Sequence, residues 1–159
     1  MSNTIPFFDT YIDPSSFSLI QQTLKSTFIS EGKITAEFEE RLRNTGLSHP
    51  ICVNSGTSAL HLALILAGVE KDDEVIIPAQ TFIATGLAVL YQKAKPIFAD
   101  IEYTTGNIDP EAIKKKITKK TKAILPVHWA GYPVDLQPIL SIAKEYNLTV
   151  IEDAAQALG

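Results

Sequence analysis

A short β-branched run recurs along this chain at nearly constant spacing, and that period restricts the fold more than any other feature. The runs are "ICV" at 51, "EVII" at 74, "PIFA" at 96, "KAILPV" at 122 and "LTVI" at 148, with starts 23, 22, 26 and 26 residues apart. Each interval holds one strand, one helix and two loops, so the pattern predicts a repeated βα unit. Such a repeat implies an α/β fold: a mostly parallel sheet with helices on both faces.

The helices between the runs carry their own boundaries. Asp13-Pro14 and Asp109-Pro110 each set a capping acid before a proline at the first helical position, while Gly46 and Gly68 stand where helices should stop. Phe17, Ile20, Leu24 and Phe28 fall at core spacing in a first helix, and Ile34, Phe38 and Leu42 do so in a second. Residues 1–48 are therefore expected to form two helices packed on the sheet domain rather than a separate domain. The run "KKKITKKTK" holds six lysines between 114 and 122, with Ile113 and Ile117 at helical spacing. One buried stripe beneath a solvated lysine face accounts for it better than nucleic-acid binding does.

Charge supplies no general partner either. With 14 basic and 18 acidic residues the net charge is −4, so nothing drives the chain toward nucleic acid or an anionic membrane, and a small anionic ligand needs a local site. Cys52 is the single cysteine, which excludes an internal disulfide framework and fits a reducing compartment. "MSNTIPFFDTYIDPSS" lacks the basic start and apolar core of a signal peptide, and "ALHLALILAGV" is too short to span a bilayer. A cytoplasmic location is expected. His49 and Cys52 form an isolated pair without further metal-ligand spacing, so no metal site is expected.

Four stretches could carry chemistry. In "ICVNSGTSALHLALILAG" a strand gives way to a helix at Gly56, Thr57 and Ser58. A helix N-terminus offers unpaired N–H groups and a positive dipole end, glycine admits an anion close to the backbone, and the two hydroxyls add donors, which suits a phosphate. Ser55 or Thr57 acting as a helix cap explains the same residues, and the two readings are compatible. In "EVIIPAQTFIATGLAVLY", Phe82 stands at the C-terminal edge of the sheet, either stacking on a planar ligand or belonging to the core. In "VIEDAAQALG", Asp153 lies just past a strand end, where an acid in apolar surroundings needs donors or a cation; Gln156 shares its face if a helix starts there, and a helix cap is the simpler use of the acid. "AILPVHWAGYPVDL" places His128, Trp129 and Tyr132 in a loop at the same edge, His128 as a substrate contact or a structural histidine.

Taken in order, "FISEGKITAEFEE", "SGTSAL", "PAQTFIAT", "PVHWAGYPVDL" and "IEDAAQALG" strongly resemble the DegT/DnrJ/EryC1/StrS family of fold-type I pyridoxal phosphate enzymes. Most of these are aminotransferases acting on nucleotide-linked keto sugars, and the resemblance covers essentially the whole chain. It implies that Gly56, Thr57 and Ser58 cradle the phosphate of pyridoxal 5'-phosphate, that Phe82 covers its pyridine ring, that Asp153 pairs with the pyridine nitrogen and that Gln156 touches the phenolic oxygen. His128 falls in the family's "VH" motif without a settled role, and Ser30 to Lys33 resemble a segment at the active-site mouth. The implied reaction moves an amino group from glutamate to a keto group of a nucleotide-linked sugar, within a homodimer. A deoxysugar dehydratase, or a cofactor-binding or structural piece without catalysis, are the alternatives.

The lysine that binds the cofactor covalently in relatives lies a couple of dozen residues after the "DAAQ" motif, and no lysine of this sequence matches it. The resemblance therefore makes residues 1–159 the N-terminal part of the cofactor-binding large domain, an incomplete fold-type I unit without the small C-terminal domain and inactive by itself.

Overall fold

The computed structural model describes residues 10–157, in two compact units, Met1–Cys52 and Val53–Gly159. The first unit holds α1, Ser15–Lys25, and α2, Lys33–Asn44. Asp13 opens α1 by accepting the Ser15 N–H on Oδ1 at 2.8 Å, and Gly46 stands one residue beyond the Thr45 C-cap of α2. Phe17, Ile20, Leu24, Phe28, Ile34 and Phe38 keep the predicted spacing, but each is more than half exposed, and only Leu42 is partly covered.

The second unit alternates α3 (Gly56–Leu66), β1 (Glu74–Pro78), α4 (Ile83–Tyr91), β2 (Lys95–Ala99), α5 (Pro110–Lys116), β3 (Thr121–Ile124), α6 (Leu136–Tyr146) and β4 (Thr149–Val150). All pairings are parallel, in the order β2-β1-β3-β4. Asp109 caps α5 by accepting the Glu111 N–H at 2.9 Å, with Pro110 at the first helical position.

Because side chains alternate along a strand, the central strands β1 and β3 each feed two cores. Val75, Ile77, Ala123, Leu125 and Val127 pack with Leu60, Leu64, Ala88 and Val89 of α3 and α4. Ile76 and Ile124 face the other way, against Ile113 of α5 and Ile139, Ile142 and Ala143 of α6. This double coverage is why the strand runs read as continuously apolar. Ile113 is buried and Ile117 packs on that second core, while all six lysines between 114 and 122 are exposed, as their spacing predicts.

The first expected strand, "ICV" at 51, does not form. Ile51 is 79% exposed, and the Cys52 N–H donates to Glu39 Oε1 at 2.8 Å. β-branched residues make a strand only where a neighbouring ladder takes up the backbone groups, and here a side chain has taken the donor. Among the described residues, no helix is long and apolar enough to cross a membrane.

Candidate active site

The first turns of α3 and α4 and the segments after β3 and β4 meet at the C-terminal edge of the sheet, where open parallel sheets hold ligands. They enclose a cavity of ≈ 280 Å³ lined by Gly56, Thr57, Leu60, Phe82, Ala84, Val127, Asp153, Ala155 and Gln156. Five of the residues singled out from sequence, Gly56, Thr57, Phe82, Asp153 and Gln156, thus meet on one concave wall.

Gly56 and Thr57 begin α3. Ser55 is its N-cap, accepting the Ser58 N–H on Oγ at 3.2 Å, so capping and an open first turn coexist. Ser58 Oγ lies 3.0 Å from Ser55 Oγ, inside the cap rather than on the cavity wall. A Cβ added to Gly56 would meet nothing within 4 Å, so the protein's own packing does not require a glycine there. Phe82 is the N-cap of α4 and is 70% exposed, which no core role explains.

Asp153 extends the sheet past β4. It bridges Val127 in parallel, its N–H donating to Pro126 O at 2.9 Å and its carbonyl accepting the His128 N–H at 3.2 Å. The side chain is 8% exposed. Oδ2 accepts the Thr85 hydroxyl at 2.8 Å and Oδ1 accepts the Ala155 N–H at 3.3 Å, which supplies the donors a buried acid needs. Among the described residues a turn follows, the Ala157 N–H closing on Ala154 O at 3.0 Å. That turn, rather than a helical face, brings Gln156 beside Asp153.

Gln156 is oriented by a donor. The Ala130 N–H reaches its Oε1 at 2.8 Å, so the amide oxygen is engaged there and the NH₂ end is the part left for the cavity. Ala130 sits in the left-handed region at φ 53°, ψ 25°, unusual for a residue with a Cβ. Asn107, almost fully buried, secures this turn: Oδ1 accepts the Trp129 N–H at 3.0 Å, and Nδ2 donates to Tyr132 O at 3.1 Å and Pro133 O at 3.2 Å.

His128 lies outside the cavity lining. The Val134 N–H donates to its Nδ1 at 3.0 Å, so the proton resides on Nε2, which donates to Glu152 Oε2 at 3.1 Å. Both nitrogens therefore tie the 128–134 loop to itself and to the end of β4. Tyr132 is exposed and Trp129 half-buried in the same loop.

Residues 10–159 match the sequence profile of the DegT/DnrJ/EryC1/StrS aminotransferase family. The chain belongs to this family. Within it, GDP-perosamine synthase of Caulobacter vibrioides is 41% identical over 150 residues, which cover 93% of this chain and 40% of that protein. UDP-4-amino-4-deoxy-L-arabinose–oxoglutarate aminotransferase of Shewanella sediminis is 39% identical over 161 residues, covering 100% of this chain and 42% of its own. Among solved structures, NtdA of Bacillus subtilis, with bound cofactor PMP, aligns at a TM-score of 0.87 and 40% identity over 90% of this chain and 33% of its own. The chain thus spans less than half the length of these DegT-family relatives. The family's cofactor is pyridoxal 5'-phosphate, held by solved members in its PLP and PMP forms.

Sequence reasoning missed Thr85 and Asn107. Thr85 left a faint signal, a hydroxyl at a core position of α4 beside Ala88 and Val89. Asn107 left none, because a polar residue in the polar turn "TTGNID" looks like any other.

Proposed function

We propose that this chain carries the cofactor-binding wall of a pyridoxal phosphate aminotransferase that moves an amino group from glutamate to the keto group of a nucleotide-linked sugar. The observation that carries this reading is the buried Asp153 carboxylate on the same cavity wall as the N-terminus of α3 and the exposed Phe82 ring. Bound pyridoxal phosphate supplies an electron sink for the pair released when a substrate amino carbon loses its proton.

The cavity's donor set suits such a group. The Ser58 N–H is taken by the Ser55 cap, and the Gly56 and Thr57 N–H groups, which precede any acceptor within the helix, would with the Thr57 hydroxyl bind a phosphate, Gly56 leaving room for its approach. Phe82 presents a flat apolar face to a ring. Asp153 would hold a proton on the pyridine nitrogen, and the Gln156 amide NH₂ would donate to the phenolic oxygen. His128 is assigned to holding the loop, since its two nitrogens are engaged. The nucleotide sugar and the glutamate donor are supported by the names of relatives, one built on GDP-perosamine and one on a UDP-aminosugar and oxoglutarate. A homodimer in the cytoplasm goes with this reading.

Among the described residues no lysine lines the cavity. The chain as it stands is therefore expected to bind pyridoxal phosphate reversibly and not to transaminate. Equilibrium dialysis against pyridoxal phosphate tests this: saturable binding that Asp153→Ala weakens supports the reading, and no binding, or sugar amination by these 159 residues alone, overturns it.

A further inference from the structure

The inner face of α4 buries Thr85, Ala88 and Val89. Valine would fill the place of Thr85 with the same shape and no hydroxyl to desolvate, so a threonine there is costly unless its hydroxyl is used. Thr85 is fully buried and does not line the cavity. Its Oγ1 lies 2.8 Å from Asp153 Oδ2 and 2.7 Å from Thr81 Oγ1. An ionised carboxylate only accepts, so Thr85 donates its single proton to Asp153. Thr81 must then be the donor to Thr85. The three groups form one directed chain ending on the acid, while the Ala155 N–H holds the other carboxylate oxygen at 3.3 Å, a longer contact.

We propose that Thr85, backed by Thr81, is a positioning residue that locks the Asp153 carboxylate in the orientation that holds the proton on the cofactor's ring nitrogen. This rests on the pyridoxal phosphate reading above and assigns to that site a residue that never touches the ligand. Two elements distant in sequence grip the two oxygens: α4 through Thr85 and the turn after β4 through Ala155. Removing the hydroxyl leaves one long hydrogen bond and a carboxylate able to swing about its own torsions.

The test uses the chain with pyridoxal phosphate labelled with ¹⁵N in the ring, comparing Thr85→Ser, which keeps the hydroxyl, with Thr85→Val, which keeps the shape. The unsubstituted chain and Thr85→Ser should show the ring nitrogen at its protonated chemical shift. Thr85→Val should move it toward the unprotonated position and weaken binding about tenfold, the scale of one hydrogen bond to a charged group. Thermal unfolding of the ligand-free variants separates this from loss of structure, and Thr85→Ala carries the comparison should Thr85→Val fail to fold. A nitrogen shift in Thr85→Val equal to that of the unsubstituted chain overturns the inference. So does a Thr85→Ser that behaves like Thr85→Val, since the methyl packing would then be what matters. Failure of the unsubstituted chain to bind pyridoxal phosphate removes the underlying function itself, a distinguishable outcome.

Discussion

Replacing Asn107 with alanine should loosen one wall of the cavity from a distance, through the turn that orients Gln156. The side chain is 3% exposed and makes three hydrogen bonds, all to backbone groups of residues 129–133. At about 1 kcal/mol net for each bond, the upper sum is about 3 kcal/mol. Tyr132 and Pro133 are exposed, so their carbonyls regain water and part of the loss is recovered. The Trp129 N–H is half-buried and does not recover as easily. A net destabilisation of about 2–3 kcal/mol follows, or a fall in Tm of about 4–12 °C for a chain of this size. Asn107→Asp should do worse, because a carboxylate would face two carbonyl oxygens without a proton to give them. Urea unfolding measures the stability, and hydrogen exchange at Ala130, whose N–H holds Gln156 Oε1 at 2.8 Å, reports the turn. A loss below about 1 kcal/mol, or an Ala130 amide that exchanges as slowly in Asn107→Ala as before, would refute the clamp.

Further outcomes follow from the same geometry. In the catalytically competent protein, Asp153→Ala should lower kcat by about 100-fold or more, the scale of removing a preorganised electrostatic partner, beyond any loss of cofactor affinity; steady-state kinetics at saturating cofactor measures it. Gly106 has φ +73°, and a Cβ there would come 2.8 Å from Trp129 Cδ1, so Gly106→Ala meets both backbone strain and a ring and should cost about 1–2 kcal/mol in a urea titration. The Asp13 carboxyl is held below the ordinary carboxylate range by the Ser15 side chain and its backbone N–H. Its contribution to α1 is therefore present above the unfolded value near 3.8 and lost as pH falls through the lower folded value, and far-ultraviolet circular dichroism should show α1 loosening in that acidic window but not in Asp13→Asn.

What could be foreseen from residues alone divides along a physical line. The βα period is legible because a sheet covered on both faces demands apolar strands at Val75–Ile77 and Ala123–Leu125, whatever the loops contain. The cap at Asp109 is legible because it acts within two residues of itself, whereas in α1 the N-cap place falls to Pro14 and Asp13 holds the Ser15 N–H from one residue earlier. The "ICV" run misled because strand character depends on a neighbour, and Glu39 is a partner that no local window includes. The directed hydroxyl chain onto Asp153 was out of reach for the same reason: Thr85 and Asp153 are 68 residues apart, and only the fold makes them adjacent. Gln156 and Asp153 line one cavity through a tight turn, a proximity that the three-residue spacing suggests for a helix and that a turn produces as well.

The parallel bridge between Val127 and Asp153 makes the sheet a ruler for the reactive edge. Because neighbouring residues on an extended strand point to opposite sides, inserting a single residue between Leu148 and Glu152 would bring Glu152 to the place that Asp153 holds. The chain would still display an acid at that edge, but one whose side chain is a methylene longer and has no threonine waiting for it. Length in this short strand is thus as strictly determined as composition, and a library that varied only side chains would never reveal it.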